Sequence, residues 1–176
     1  MKRMFLLASM VLVTACQTRS PDLTDATRKA IADSVDALSR GAFDAVRRRD
    51  AGAFAQNFST GPDLRVVENG VVYTNRDAFR DSTAAFWSTF SAIEPTLSEM
   101  RTVVLGPDAA STVIPFSFTA TTKAGKTAKG SGVWSAVFRR DSSGWTIVQT
   151  HESELNLAQL LSELMPPSPA APATKR

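Results

Sequence analysis

The sequence predicts an α+β domain in which helices come first and an antiparallel sheet follows. Three observations predict it. An apolar stripe at helical spacing runs from Ile31 to Val46. Asn69-Gly70 stands between two valine pairs, a strong hairpin signal. From Thr96 onward, alternating segments are divided by short turn sequences at regular intervals, the pattern of an antiparallel meander. A chain of 176 residues is long enough to bury one core without staples.

The elements follow in order. Thr24 or Asp25 is suited to cap the first helix, whose face is Ile31, Val35, Leu38, Ala42 and Val46. Gly41 inside it costs about 1 kcal/mol relative to alanine. Gly52 marks a break, and "AFAQNF" supplies a short second helix that buries Phe54 and Phe58. "LRVVENGVVYTN" is the hairpin, because a tight two-residue turn needs positive φ at both central positions. Thr74 with Asp77 resembles a capping box for a further helix bearing Phe79, Thr83, Phe86 and Phe90, with Trp87 adjacent and Pro95 as its closing signal. Four long strands are expected from "TLSEMRTVVL", "STVIPFSFTATT", "GSGVWSAVFRR" and "WTIVQTHESE". Val133 and Val137 share one face of their strand, Trp134 and Phe138 the other, so the sheet needs a cover on both sides. "NLAQLLSEL" is a short final helix over 156–165, and the Pro/Ala-rich tail 166–176 is expected to be disordered.

Charge carries little functional weight. The net charge of +3 includes Lys2 and Arg3; without residues 1–15, 18 basic residues face 17 acidic ones, a net of +1. Arg47-Arg48-Arg49 is the densest basic run and suits the C-terminal end of a helix dipole. With no basic stripe and interleaved aromatics, nucleic acid is not an expected partner.

The N-terminus has its own pattern. Lys2-Arg3 precede an apolar stretch from Phe5 to Ala15, too short to span a bilayer comfortably, as in a secretory signal. "VTAC", ending at Cys16, resembles the lipobox of bacterial lipoproteins, where cleavage precedes a cysteine that then receives a diacylglycerol. The resemblance implies a signal peptide over 1–15, lipidation at Cys16 and a polar tether over 16–23. It also explains a single unpaired cysteine in an exported chain. Gln17 at the second mature position, where aspartate would favour the inner membrane, implies an outer-membrane anchor facing the periplasm.

"VVLGPDAASTVIPFSF", "GVWSAVFRRDSSGWTIVQTHES" and the hairpin-helix before them resemble the nuclear transport factor 2-like superfamily, in its SnoaL-like branch. The "W-x-I-V-x-x-H-x-S" fragment ending at Ser153 is the most specific part, and the domain extends over 24–155. The resemblance implies a cone: a curved antiparallel sheet wrapped around N-terminal helices, a cystatin-like α+β barrel with a pocket at its open end. It also implies a homodimer through the convex sheet face. It does not fix an activity, since one fold hosts many functions.

Enzymes of that superfamily place an aspartate base and a tyrosine or second acid deep in the cone. No aspartate is expected mid-strand here, and no catalytic carboxylate dyad is recognised. Glu152 and Glu154 share one face of the last strand, His151 and Ser153 the other; Glu99 and Arg101 share a face of theirs and suit a surface or rim. Related sequences often carry a second histidine where this chain has Gln149, so a dyad or metal pair with His151 is missing, and neither metal nor cofactor is expected. Tyr73, Trp87, Trp134 and His151 are the expected ligand-binding residues, although such aromatic residues are more often core, and His151 suits a wall better than a catalytic base. The expected function is a membrane-anchored periplasmic domain binding a small, mostly apolar molecule. One rival is an isomerase, dehydratase or hydrolase using His151 with Tyr73 or Glu99; an acid of raised pKa pointing into the cavity would favour it. The other is an envelope accessory protein that binds a partner through the sheet face.

Overall fold

A computed structural model describes residues 22–164. The expected signal segment, Cys16, nearly all of the expected tether and the Pro/Ala-rich tail lie outside the described residues. The elements are α1 (Asp25–Arg48), α2 (Ala51–Ala55), β1 (Arg65–Glu68), β2 (Val71–Tyr73), α3 (Arg76–Trp87), β3 (Phe90–Leu97), β4 (Arg101–Gly106), β5 (Ala109–Thr122), β6 (Thr127–Asp141), β7 (Gly144–Glu154) and α4 (Leu157–Leu164). The fold is α+β, with helices against the concave face of one curved sheet.

The strand order is β2-β1-β7-β6-β5-β3, and β4 also pairs with β5. The sheet is mixed, because β1 runs parallel to β7 while the other pairings are antiparallel. This corrects the all-antiparallel expectation. A hairpin signal fixes the partner of β1 on one side only; its other edge is free to take a strand far along the chain. The hairpin itself forms as expected, with Asn69 at φ 50° and Gly70 at φ 83°.

The expected first long strand is two strands. β3 pairs with residues 116–122 of β5 and β4 with residues 109–113. Pro115 sits at the junction. Its carbonyl accepts from the Ser98 amide at 2.9 Å, but it has no N–H to return toward the same neighbour. The ladder is interrupted there, and the edge bends around the long strand. Pro95 and Phe90 belong to β3, rather than to the end of α3. An edge strand tolerates Pro95 because its missing donor leaves no ladder bond broken.

Helix starts are fixed by side-chain oxygens. Thr24 accepts from the Thr27 amide, and Asn75 accepts from the Ala78 amide at 2.9 Å. Asn75 therefore replaces Thr74 as the cap of α3, while Asp77 pairs with Arg80. At the other end of α1, Arg49 takes the left-handed conformation and donates to the Phe90 carbonyl at 2.6 Å, and Arg47 donates to the Pro95 carbonyl at 3.0 Å. The basic run thus ties α1 to β3.

The core fills one end of the cone. Phe58 and Phe79 are fully buried, with ring centroids 5.1 Å apart, and Phe54 packs against both. The backbone of Ile147 in β7 exchanges hydrogen bonds with Asn57 and Ser59, which seals this end. The pleat parity of β6 is as expected: Trp134 and Phe138 are buried, while Val133 is 41% exposed on the convex side.

Candidate functional site

The opposite end of the cone is hollow. A cavity of about 490 Å³ opens between α1, α3, α4 and the inner face of the sheet. Its body is aromatic and aliphatic: Phe86 and Trp87 from α3, Phe116 and Phe118 from β5, and the leucines of α4. Leu160 and Leu164 are buried, so α4 forms a wall of the cavity. Two glycines in β6 keep the floor open to these rings. A Cβ at Gly130 would lie 2.4 Å from the Phe118 ring, and one at Gly132 would lie 2.5 Å from the Ser153 carbonyl and 2.9 Å from Phe116.

The polar end is built by the parallel pair. β1 aligns Glu68 with Glu152 of β7, and Glu154 follows two residues later on the same face. On the other side of β7, Trp134 stands opposite Glu152 and Gly132 opposite Glu154. All three glutamates line the cavity. Among the described residues that line it, none is Lys, Arg or His. Burial is the main cause of raised pKa values here, because a charged carboxylate loses its hydration. Burial, helped by the nearby charge of Glu154, pushes Glu68 up to about 7. Burial and the charges of Glu68 and Glu154 push Glu152 up to about 8. Glu154 is also raised by burial, offset in part by a hydrogen bond with Glu152. A proton held on Glu152 and shared toward Glu154 accounts for that opposition, and the three titrate as a coupled group. Chemically, the set can hold or exchange a proton near neutral pH, or accept a positive charge.

The expected site residues divide. Tyr73 and Trp87 line the cavity. The Tyr73 hydroxyl is 2.8 Å from Ser82 Oγ, and its ring packs on Phe79. Trp87 packs on Phe54, with centroids 5.4 Å apart. Trp134 lies behind the wall, edge-on to Phe43, which is itself a lining residue. His151 is exposed on the convex side, and its carbonyl accepts from Ser135. This corrects its expected place in the pocket wall, and the reason is parity: Thr150 and Glu152 point inward, so the residue between them points out. Glu99 and Arg101 are exposed at the surface, 3.9 Å apart, but Glu99 precedes β4 and does not share its strand face. The missed residues are Glu68, Glu152 and Glu154. Their signal was the shared face of Glu152 and Glu154 on the last strand.

A second hollow, of about 550 Å³, lies outside the cone between α1 and the β3–β4 link. Its charged walls largely satisfy one another: Arg47 pairs with Asp44, and Thr102 donates to Asp36. Its lining is mostly polar and charged, and the cavity in the cone, with its apolar body, is the better site.

A family model for the SnoaL-like domain matches residues 35–157. The chain belongs to the SnoaL-like family. Solved structures share the fold of this SnoaL-like domain at low identity. A nuclear transport factor 2-like superfamily protein from Salmonella enterica is 18% identical with a TM-score of 0.62, covering 86% of this chain and 98% of its own. An uncharacterized protein with a cystatin-like fold from Caulobacter vibrioides is 20% identical with a TM-score of 0.60, covering 70% and 89%. A hexachlorocyclohexane dehydrochlorinase is 13% identical with a TM-score of 0.65, covering 74% and 89%. No curated protein sequence matches the chain.

Proposed function

We propose that this SnoaL-like domain binds a small, mostly apolar molecule in the cone, and that it does so on the periplasmic side of a membrane to which Cys16 anchors it. One observation carries the binding reading: an apolar cavity of about 490 Å³ with its ionisable groups gathered at one end. Small-molecule sites usually have this make-up, apolar walls with a few convergent polar groups. The anchor rests on the "VTAC" sequence and Gln17. Val103, Val113 and Val133 leave an apolar strip on the convex face, which supports a homodimer through that face.

A second reading is favoured by the glutamates. Acids near neutrality inside an apolar cavity suit general acid–base catalysis, such as the proton transfers of an isomerase or dehydratase. Glu152 and Glu68 would be its proton carriers, in place of His151.

Mass spectrometry of the protein taken from its native envelope tests these statements together. The expected result is a chain beginning at a diacylated Cys16, a dimer mass under native conditions, and a discrete co-purifying small molecule. A clean mass without added molecule, under gentle conditions, would overturn the binding reading. Incubation of the released molecule with the protein in D₂O separates binder from enzyme: Glu152-dependent deuterium at carbon makes the domain a catalyst.

A further inference from the structure

We infer that the molecule held in the cone carries a positively charged amine at one end of its apolar body. This rests on the ligand-binding reading above and names the chemical class of its ligand.

The inference begins with what faces the carboxyl groups. β1 and β7 contribute Glu68, Glu152 and Glu154. From β2 come Val71 and Tyr73, from α3 Ser82 and Thr83, and from α4 only leucines among the lining residues. The Tyr73 and Ser82 hydroxyls share one hydrogen bond. β6 presents Gly132 and Trp134. Thus three acceptor groups meet with no protein cation among the lining residues described. Half-buried against apolar walls, such carboxyl groups favour pairing with a cation or holding a proton. Elsewhere in this domain acids find arginines: Asp63 pairs with Arg139, Asp108 with Arg140, and Asp77 with Arg80. The cavity glutamates have no such cation among the described lining residues, and the cavity is a place where a ligand could supply one.

An ammonium group fits that gap. It brings one positive charge and N–H donors that the carboxyl groups lining this end can accept. The apolar body attached to it would lie against Phe86, Phe116, Phe118 and the α4 leucines. A carboxylate ligand would meet like charge at the same place. A divalent metal ion is a poorer match, since no group of three His, Cys, Asp or Glu among the described residues is placed to hold one. Proton balance follows directly. The amine enters as ammonium and keeps its protons. The carboxyl groups that ionise opposite it release theirs to the solvent.

Isothermal titration with octylamine, octanol and octanoate tests this. Among the described residues, the buried core lies between Ile31 and Leu164, and a chain begun after Cys16 retains all of it. At pH 7, octylamine is expected to bind at least roughly tenfold tighter than octanol, the scale of a charge-assisted hydrogen bond, and octanoate weakest. Buffers of different ionisation heat should report proton release with octylamine alone. Glu152→Gln and Glu68→Gln, each made separately, should erase most of the amine preference while octanol binding persists. Equal binding of the three, or a preference for octanoate, overturns the amine inference and leaves the cavity reading standing. Absence of binding by all three overturns both.

Discussion

Along β7, inward and outward residues alternate and carry opposite chemistry. Thr150, Glu152 and Glu154 look into the cone, while Gln149, His151 and Ser153 look away from it. Histidine is the usual proton carrier at neutral pH, yet the chain's single histidine stands in solvent. The glutamates are a residue type that is ordinarily ionised at pH 7, and burial brings two of them into the neutral range. Environment, one pleat step apart, outweighs side-chain identity in deciding which group is available for proton chemistry.

The comparison breaks most visibly at the packed end of the inner face. Phe79→Ala removes a fully buried ring that touches Phe54, Phe58 and Tyr73. It is expected to cost about 3–5 kcal/mol in denaturant unfolding. A loss below 1 kcal/mol would mean that the aromatic cluster does not hold the domain together.

The glutamates should leave a mark of the next size in the pH dependence of stability. Their folded pKa values lie above the ordinary value of 4.5, at about 7 for Glu68 and about 8 for Glu152. Between 4.5 and 8 the folded chain therefore binds more protons than the unfolded chain. Their contribution is fully present below pH 4.5 and is lost as pH rises through 7 to 8. Thermal or urea unfolding from pH 5 to 9 should show that fall, and Glu152→Gln should flatten it. A curve with the same slope in wild type and variant would place the buried charge elsewhere.

The outer face should be nearly silent. His151→Ala is expected to change stability by less than about 0.5 kcal/mol, the range of ordinary surface substitutions, and to leave ligand retention intact. Loss of ligand from a folded His151→Ala protein would move the site to the convex face.

Much of the architecture was legible because its signals are local. Asn69-Gly70 specifies its own turn, Thr24 caps the helix that follows it, and alternation in β6 separates Trp134 from Val133. The carboxyl group was not legible for the opposite reason. Glu68 and Glu152 become neighbours only through a parallel pairing between distant segments, for which no turn or spacing gives notice. Alternation placed Glu152 and Glu154 together and apart from His151, but only the position of the helices decides which side is inside. Pro115 was visible as a residue, but its effect on an adjacent strand needed the register of β5 against β3 and β4.

The parallel seam between β1 and β7 also orders events in time. Residues 65–68 leave the ribosome well before residues 149–152, yet each needs the other to complete the carboxyl end of the cavity. Contacts of such long sequence separation bear the full cost of loop closure and form slowly relative to local turns. A chain that stops short of β7 lacks Glu152, Glu154 and the α4 wall of the cavity, so it cannot bring the glutamates together. Competence of the site therefore waits on that pairing, and a truncated product would lack the ability to engage a ligand.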